Sequence, residues 1–258
     1  MTINEILYLY DQQMRISPPT FKADCRYFPG MTVCIVDPPA PHGGWVMFTR
    51  LEEDTIDAAI QQNLALFSER GHSFEWKTYD HDTPGDLRQR LLIYGFVAED
   101  EEALLALDLT QAPQGLFKPV KADVRRVTGP EGIDDIHQIE QSVWGHDFDN
   151  LRRVLNEELA ENPAGISLYV AYVGGEPAAC AWIRFYEGKD FADLWGGSTI
   201  EKFRRKGLYT ALVAVRAQEA RQRGARFLTI DASPMSRPIC EKIGFKFLTN
   251  TQPFVWKA

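Results

Sequence analysis

No stretch of the 258 residues approaches the ~18 uninterrupted apolar residues that a transmembrane helix requires, so no membrane span is expected. The amino terminus, Met1-Thr2-Ile3-Asn4-Glu5-Ile6-Leu7, lacks both the basic segment and the apolar run of a secretory signal. Cysteine is scarce: four residues, at 25, 34, 180 and 240, with no C-x-x-C pair among them. That spacing supports no zinc site, and no metal is expected. The four are expected to be buried, reduced thiols in a cytoplasmic protein. Basic charge is also short. There are 28 Lys and Arg against 36 Asp and Glu, a net charge of −8, so a global field for holding nucleic acid is missing. Apolar residues are ample at 45%, enough to pack a core, and the length suits one large domain or two modest ones.

Periodicity sorts the rest. A helix is predicted over 4–15, where Ile6, Leu7, Leu9, Tyr10 and Met14 recur at helical spacing until Ser17-Pro18-Pro19. Strands are predicted at Met31–Val36 and Gly44–Thr49, separated by the Pro/Gly-rich stretch Asp37–Gly43. A helix over 53–69 places Ile56, Ala59, Ile60, Leu64 and Phe67 on one face and stops at Gly71. A strand (73–79), a helix (84–94) and a strand (103–109) follow. Residues 110–121 have no period and two prolines, which marks a linker. Beyond it come a strand (124–127), helices (130–144, 151–161) and strands (166–173, 176–186, 191–200). A helix (208–223), a strand (226–232), a helix (234–243) and strands at 245–248 and 254–257 complete the chain. The alternation predicts an α/β (α+β) protein with a mixed central sheet flanked by helices.

The halves echo each other. Helix, Gly71, strand, Pro84, helix, Gly95-Phe96 is matched by helix, Gly224, strand, Pro234, helix, Gly244-Phe245, at offsets of about 150 residues. Two tandem lobes are therefore expected, at 1–112 and 122–258, with the linker at 113–121.

Chemistry concentrates in Trp195–Leu212, where a strand enters a basic, glycine-containing turn that opens a long helix. The first amides of a helix have no partner within it and face outward, and the helix dipole adds positive potential there. Gly207 lets backbone approach an anion closely, and Arg204, Arg205 and Lys206 supply charge. A pyrophosphate suits such a turn.

These residues resemble the GNAT superfamily of N-acetyltransferases, whose signature is Arg/Gln-x-x-Gly-x-Gly/Ala between a strand and a helix. Arg204-x-x-Gly207-x-Tyr209 matches the first two fixed positions and departs at the third. The ending Lys242-Ile243-Gly244-Phe245 also resembles the family. The resemblance covers about 122–258 and extends to the first half in outline. It implies the GNAT acyltransferase fold and acetyl-CoA (coenzyme A) as donor. It implies that Ser198, Thr199 and Ile200 line the acyl arm through backbone hydrogen bonds. Arg204, Arg205, Lys206, Gly207, Leu208, Tyr209 and Thr210 would hold the pyrophosphate. It also implies an amine acceptor that must lose a proton. Asp193 is the favoured base, with Glu187 and Asp231 as alternatives. The family's usual acid, a Tyr four residues before Gly-Phe, is Cys240 in this sequence, and a thiol can protonate a departing thiolate. Ser233 and Ser236 flank the same region.

In the first half the equivalent turn, Phe48–Asp54, carries one cation and three carboxylates and is expected to bind no cofactor. Glu75, Asp80, His81 and Asp82 match no metal-ligand spacing and are expected to be structural. The expected activity is acetyl transfer to a small-molecule or peptide amine, by a monomer or homodimer without membrane or nucleic-acid partners. A non-catalytic acyl-CoA sensor and an aminoacyl-tRNA-dependent transferase are the alternatives.

Overall fold

A computed structural model describes residues 1–36 and 43–258. The Pro/Gly-rich stretch Asp37–Gly43 therefore lies, except for Gly43, outside the described residues. The chain divides into two compact units: Met1–Leu105 with Asp231–Arg237 and Phe247–Ala258, and Ala106–Ile230 with Pro238–Lys246. This division differs from the sequence-based lobes, because the final strand groups with the first unit.

The first unit begins with helix α1 (Ile3–Tyr10), closed by a capping box in which Thr2 and Glu5 satisfy each other's amides. The helix expected to run to 15 continues instead as a π-helical turn, Asp11–Ile16. There Asp11 and Arg15 turn inward. Arg15 is fully buried and bonds Asp11 (2.8 Å), Asp82 (2.5 Å) and the Met47 carbonyl (3.1 Å). His81 Nε2 lies 2.9 Å from Asp11, and Asp80 pairs with Arg88 and Asn250. The acidic residues around His81 are thus consumed by ion pairs. Strands β1 (Ala23–Phe28), β2 (Met31–Val36), β3 (Gly44–Thr49) and β4 (Phe74–Tyr79) form a sheet, and β12 (Lys246–Trp256) pairs antiparallel with β4. β1–β2 and β2–β3 are antiparallel; β3–β4 are parallel, joined by α2 (Ile56–Glu69). Helix α3 (Leu87–Ile93), the two-residue β5 (Val97–Ala98) and β6 (Glu102–Asp108) follow. Val33, Val46, Ile60, Phe67, Trp76, Leu91 and Phe254 close the core.

β1 was not anticipated, because its residues are largely exposed and its apolar alternation is weak. It carries a correction. Antiparallel register places Cys25 directly opposite Cys34, and the two sulfurs are bonded. Only Cys180 and Cys240 remain as free, buried thiols. A disulfide is uncommon in a reducing compartment, so the cysteines no longer argue for the cytoplasm. β12 also replaces two short expected strands. Its polar middle is threonine-rich, and β-branched Thr249 and Thr251 are buried in the sheet.

The second unit orders its strands β7 (Asp123–Val127), β8 (Ile166–Val173), β9 (Glu176–Phe185), β10 (Phe191–Thr199) and β11 (Phe227–Ala232). The first three pairings are antiparallel, and β10–β11 is parallel across helix α6 (Leu208–Gln222). The last two of these antiparallel pairings and the helical crossover to a parallel partner repeat the first unit's sequence. Helices α4 (Pro130–Trp144) and α5 (Asp149–Glu161) cover one face, where Ile133, Ile136, Ile139 and Leu155 meet Ile166, Leu168, Val170 and Trp182. On the alternate positions, Ser167 and Tyr169 bond Glu219 of α6, which covers the other face. Helix α7 (Arg237–Ile243) starts three residues later than expected. The predicted linker is anchored: Gln218 donates to the carbonyls of Leu116 and Lys118, both at 2.9 Å.

Candidate functional site

β10 organises the site. It is buried or half-buried from Phe191 to Leu194 and then, after exposed Trp195, sets Gly196 and Gly197 in the strand, both left-handed with φ of 68° and 93°. Glycine adopts that conformation without steric cost. A β-carbon on Gly196 would stand 2.4 Å from the Trp182 ring, and one on Gly197 would stand 3.1 Å from the Tyr209 ring. The pairing with β9 slips between Gly196 and Ser198, forming a β-bulge. On the other side, the ladder with β11 runs from Phe191–Phe227 to Asp193–Thr229, while β10 itself continues to Thr199. The end of β10 thus carries backbone beyond its ladder with β11.

A buried arginine secures the bulge. Arg216 of α6 is 1% exposed; its Nη1 donates to the carbonyls of Trp182 (3.0 Å) and Trp195 (3.2 Å), and its Nε donates to Leu212 (2.9 Å). Nη2 is buried without a hydrogen-bond partner among the described residues. Burial pushes the guanidinium down to about 10, which leaves it charged at neutral pH. Sequence reading missed this residue. The available signal was its helical spacing from Leu212 and Ala220, both in the core.

A buried acid lies on the other face. Glu140 of α4 accepts from Ser198 Oγ (2.9 Å) and Cys180 Sγ (3.3 Å), while Trp144 Nε1 donates to Ser198 Oγ (3.1 Å). Burial raises its carboxyl above the usual range, against the pull of these donors. Glu140 too was missed, although it sits four residues after Ile136 on the apolar stripe.

Asp193 is half-buried on β10 and accepts from Tyr186 Oη (3.0 Å) and from the Thr229 hydroxyl. Burial, reinforced by the Asp193 charge, drives the Tyr186 phenol well up. Arg184, opposite Asp193 on β9, is taken by a two-pronged pair with Glu158. Of the alternative bases, Glu187 is exposed, and Asp231 bonds Lys77 Nζ at 2.5 Å.

After β10 the chain makes a short 3-10 turn, Glu201–Phe203, and exposes Arg204, Arg205 and Lys206. Arg204 Nε is tied to the Thr199 carbonyl (3.1 Å). Arg205 and Gly207 are left-handed, at φ 62° and 78°. Gly207 caps α6 without a side-chain acceptor, so the amides of Leu208, Tyr209 and Thr210 begin the helix with no acceptor inside it. Leu208 is buried as an anchor and Thr210 is exposed. The Thr199 hydroxyl is buried without a partner among the described residues. Ile200 differs: its N–H donates to Ala178 and its side chain packs on the α4–α5 core. Tyr209 Oη lies 3.2 Å from Cys240 Sγ. Cys240 has no exposed surface, and burial pushes its thiol up. Ser233 and Ser236 bond each other. In the first unit, Glu52, Glu53 and Asp54 stand exposed between β3 and α2.

The turn and bulge together suit a diphosphate-bearing thioester: the first amides of a helix and cations at its start, and strand backbone extending past its ladder. The acetyltransferase (GNAT) family model matches residues 133–245. No curated protein matches the chain. Among solved structures, a GCN5-related N-acetyltransferase from Kribbella flavida superposes with TM-score 0.71 at 13% identity, over 97% of this chain and 94% of that one. A functionally unknown conserved protein from Staphylococcus epidermidis gives 0.70 at 13%, over 98% and 99%. A tandem GNAT protein from the clavulanic acid biosynthesis pathway gives 0.57 at 13%, over 88% and 78%. At such identity these likenesses establish the fold.

Proposed function

We propose, from the acetyltransferase (GNAT) family model that matches residues 133–245 and from the fold shared with GNAT structures, an acetyl-CoA-dependent N-acetyltransferase acting on a small-molecule or peptide amine. The observation that carries the reading is the sequence of bulge, basic turn and uncapped helix from Gly196 to Thr210. Arg204, Arg205, Lys206 and the amides through Thr210 would hold the pyrophosphate. The backbone of Ser198 and Thr199 would line the acyl arm, and an amide near Thr199 would receive the oxyanion. Asp193 would take the acceptor's proton, and the pair formed by Cys240 and Tyr209 would supply a proton to the departing sulfur. The net charge of −8 suits a cationic acceptor. The acidic turn of the first unit binds no cofactor in this scheme. Titration calorimetry of the full chain with acetyl-CoA is the test: micromolar binding supports the reading, and absence of binding ends it.

A further inference from the structure

The geometry points to the Tyr209 hydroxyl as the group that donates a proton to the departing thiol sulfur, with Cys240 and Arg216 as its positioning residues. This rests on the acetyl-CoA reading above.

Tyr209 stands in the first turn of α6, whose start faces the proposed pyrophosphate, and its ring abuts the position of a Gly197 β-carbon at 3.1 Å. The ring therefore lies against the bulge of β10. Cys240 sits behind it with no exposed surface, whereas Tyr209 is partly exposed. Burial keeps the Cys240 thiol protonated at neutral pH. An S–H 3.2 Å from Tyr209 Oη can donate to that oxygen, which turns the phenol's own proton toward another acceptor. Arg216 follows Tyr209 by two helical turns, on the same face of α6. Its charge is buried, one nitrogen has no hydrogen-bond partner among the described residues, and Tyr209 and Cys240 both lie within its electrostatic reach. A phenolate left by proton transfer would find a fixed positive charge there.

The step balances. The amine lone pair forms the N–C bond as the carbonyl π pair moves to oxygen. When that pair returns, the C–S bond breaks with its electrons on sulfur. Tyr209 Oη protonates the sulfur; Asp193 takes the proton from nitrogen and releases it to water; water reprotonates the phenolate. Amine and thioester become amide and thiol.

The test compares CoA with desulfo-CoA, which lacks the sulfur, by calorimetry at pH 9, where the thiolate is populated. The native protein is expected to prefer CoA by about tenfold. Tyr209→Phe is expected to bind desulfo-CoA within about twofold of native but to lose that preference, and Cys240→Ser to retain part of it. In turnover of acetyl-CoA with a panel of primary amines, Tyr209→Phe is expected to lose about 100-fold in kcat at unchanged KM for acetyl-CoA. Equal native affinity for the two ligands, or a preference surviving in Tyr209→Phe, overturns the inference alone. Failure of the native protein to bind either ligand overturns the acetyl-CoA reading, and this inference with it.

Discussion

The Ser198 hydroxyl donates to Glu140 Oε2 across 2.9 Å, joining the strand that enters the basic turn to a carboxyl buried under α4. Trp144 and Cys180 complete the arrangement with neutral donors. Burial raises the Glu140 carboxyl above its ordinary value of 4.5, so the folded protein binds a proton that the unfolded chain releases. Stability from this group is present below 4.5 and is lost as the pH climbs through the raised folded value, at about 1.4 kcal/mol for each tenfold change in proton affinity. Glu140→Gln does not titrate. Its melting temperature relative to the native protein is expected to rise from pH 4 to pH 8; a difference constant across that range would count against the assignment.

Gly196 is the tightest point of the bulge. Gly196→Ala forces a left-handed alanine and sets its β-carbon 2.4 Å from the Trp182 ring. Backbone strain and overpacking each cost on the order of 1–3 kcal/mol. Chemical denaturation is expected to register a loss of about 2–4 kcal/mol, and acetyl-CoA affinity is expected to fall with it, since the bulge sets the direction of Ser198 and Thr199. A variant as stable as the native chain would show that the strand re-registers without cost.

Much of this was legible in the sequence, for physical reasons that also explain the misses. α4 was placed at its observed ends because Pro130 opens it and Gly145 closes it in the left-handed conformation. The basic turn was legible because charge, glycine and a helix start coincide. Arg216 and Glu140 were not, because a charged residue within an apolar stripe reads as a break in the stripe, and only tertiary contacts reveal carbonyls and hydroxyls waiting for it. The two departures from the family motif, Tyr209 and Cys240, looked independent in sequence. They are 31 positions apart and meet at 3.2 Å, both within the second unit. Cys25 and Cys34 pair because β1, too polar to be noticed as a strand, sets them opposite each other.

In the first unit, Arg15 holds two carboxylates, Asp11 and Asp82, that are themselves nearly inaccessible. Arg15→Met preserves volume but removes the cation from Asp82, leaves Asp11 to His81 and Arg50, and takes a donor from the Met47 carbonyl. Breaking such a buried network by removing one partner costs about 3–5 kcal/mol. Arg15→Met is expected to unfold at correspondingly lower denaturant, and adding Asp11→Asn and Asp82→Asn is expected to recover part of the loss. If the triple variant were no more stable than the single one, stranded charge would not be the cause.

Arg205 and Lys206 stand exposed at the start of α6, while Arg204 is held to the Thr199 carbonyl. Exposed cations attract a polyanion through a field that salt screens over about 10 Å at 0.1 M. In the proposed site the amides of Leu208, Tyr209 and Thr210 would act at contact distance and would be screened far less. Removing the two charges should therefore weaken CoA binding and flatten its salt dependence together. Arg205→Gly is the apt replacement at φ 62°, because it relieves the left-handed strain that alanine would keep. With Lys206→Ala it is expected to raise the Kd for CoA about 10-fold to 30-fold at 50 mM salt and less than about 5-fold at 500 mM. Equal losses at both salts would mean that the two side chains act by direct contact. No loss at either would place the pyrophosphate on the helix amides and Arg204 alone.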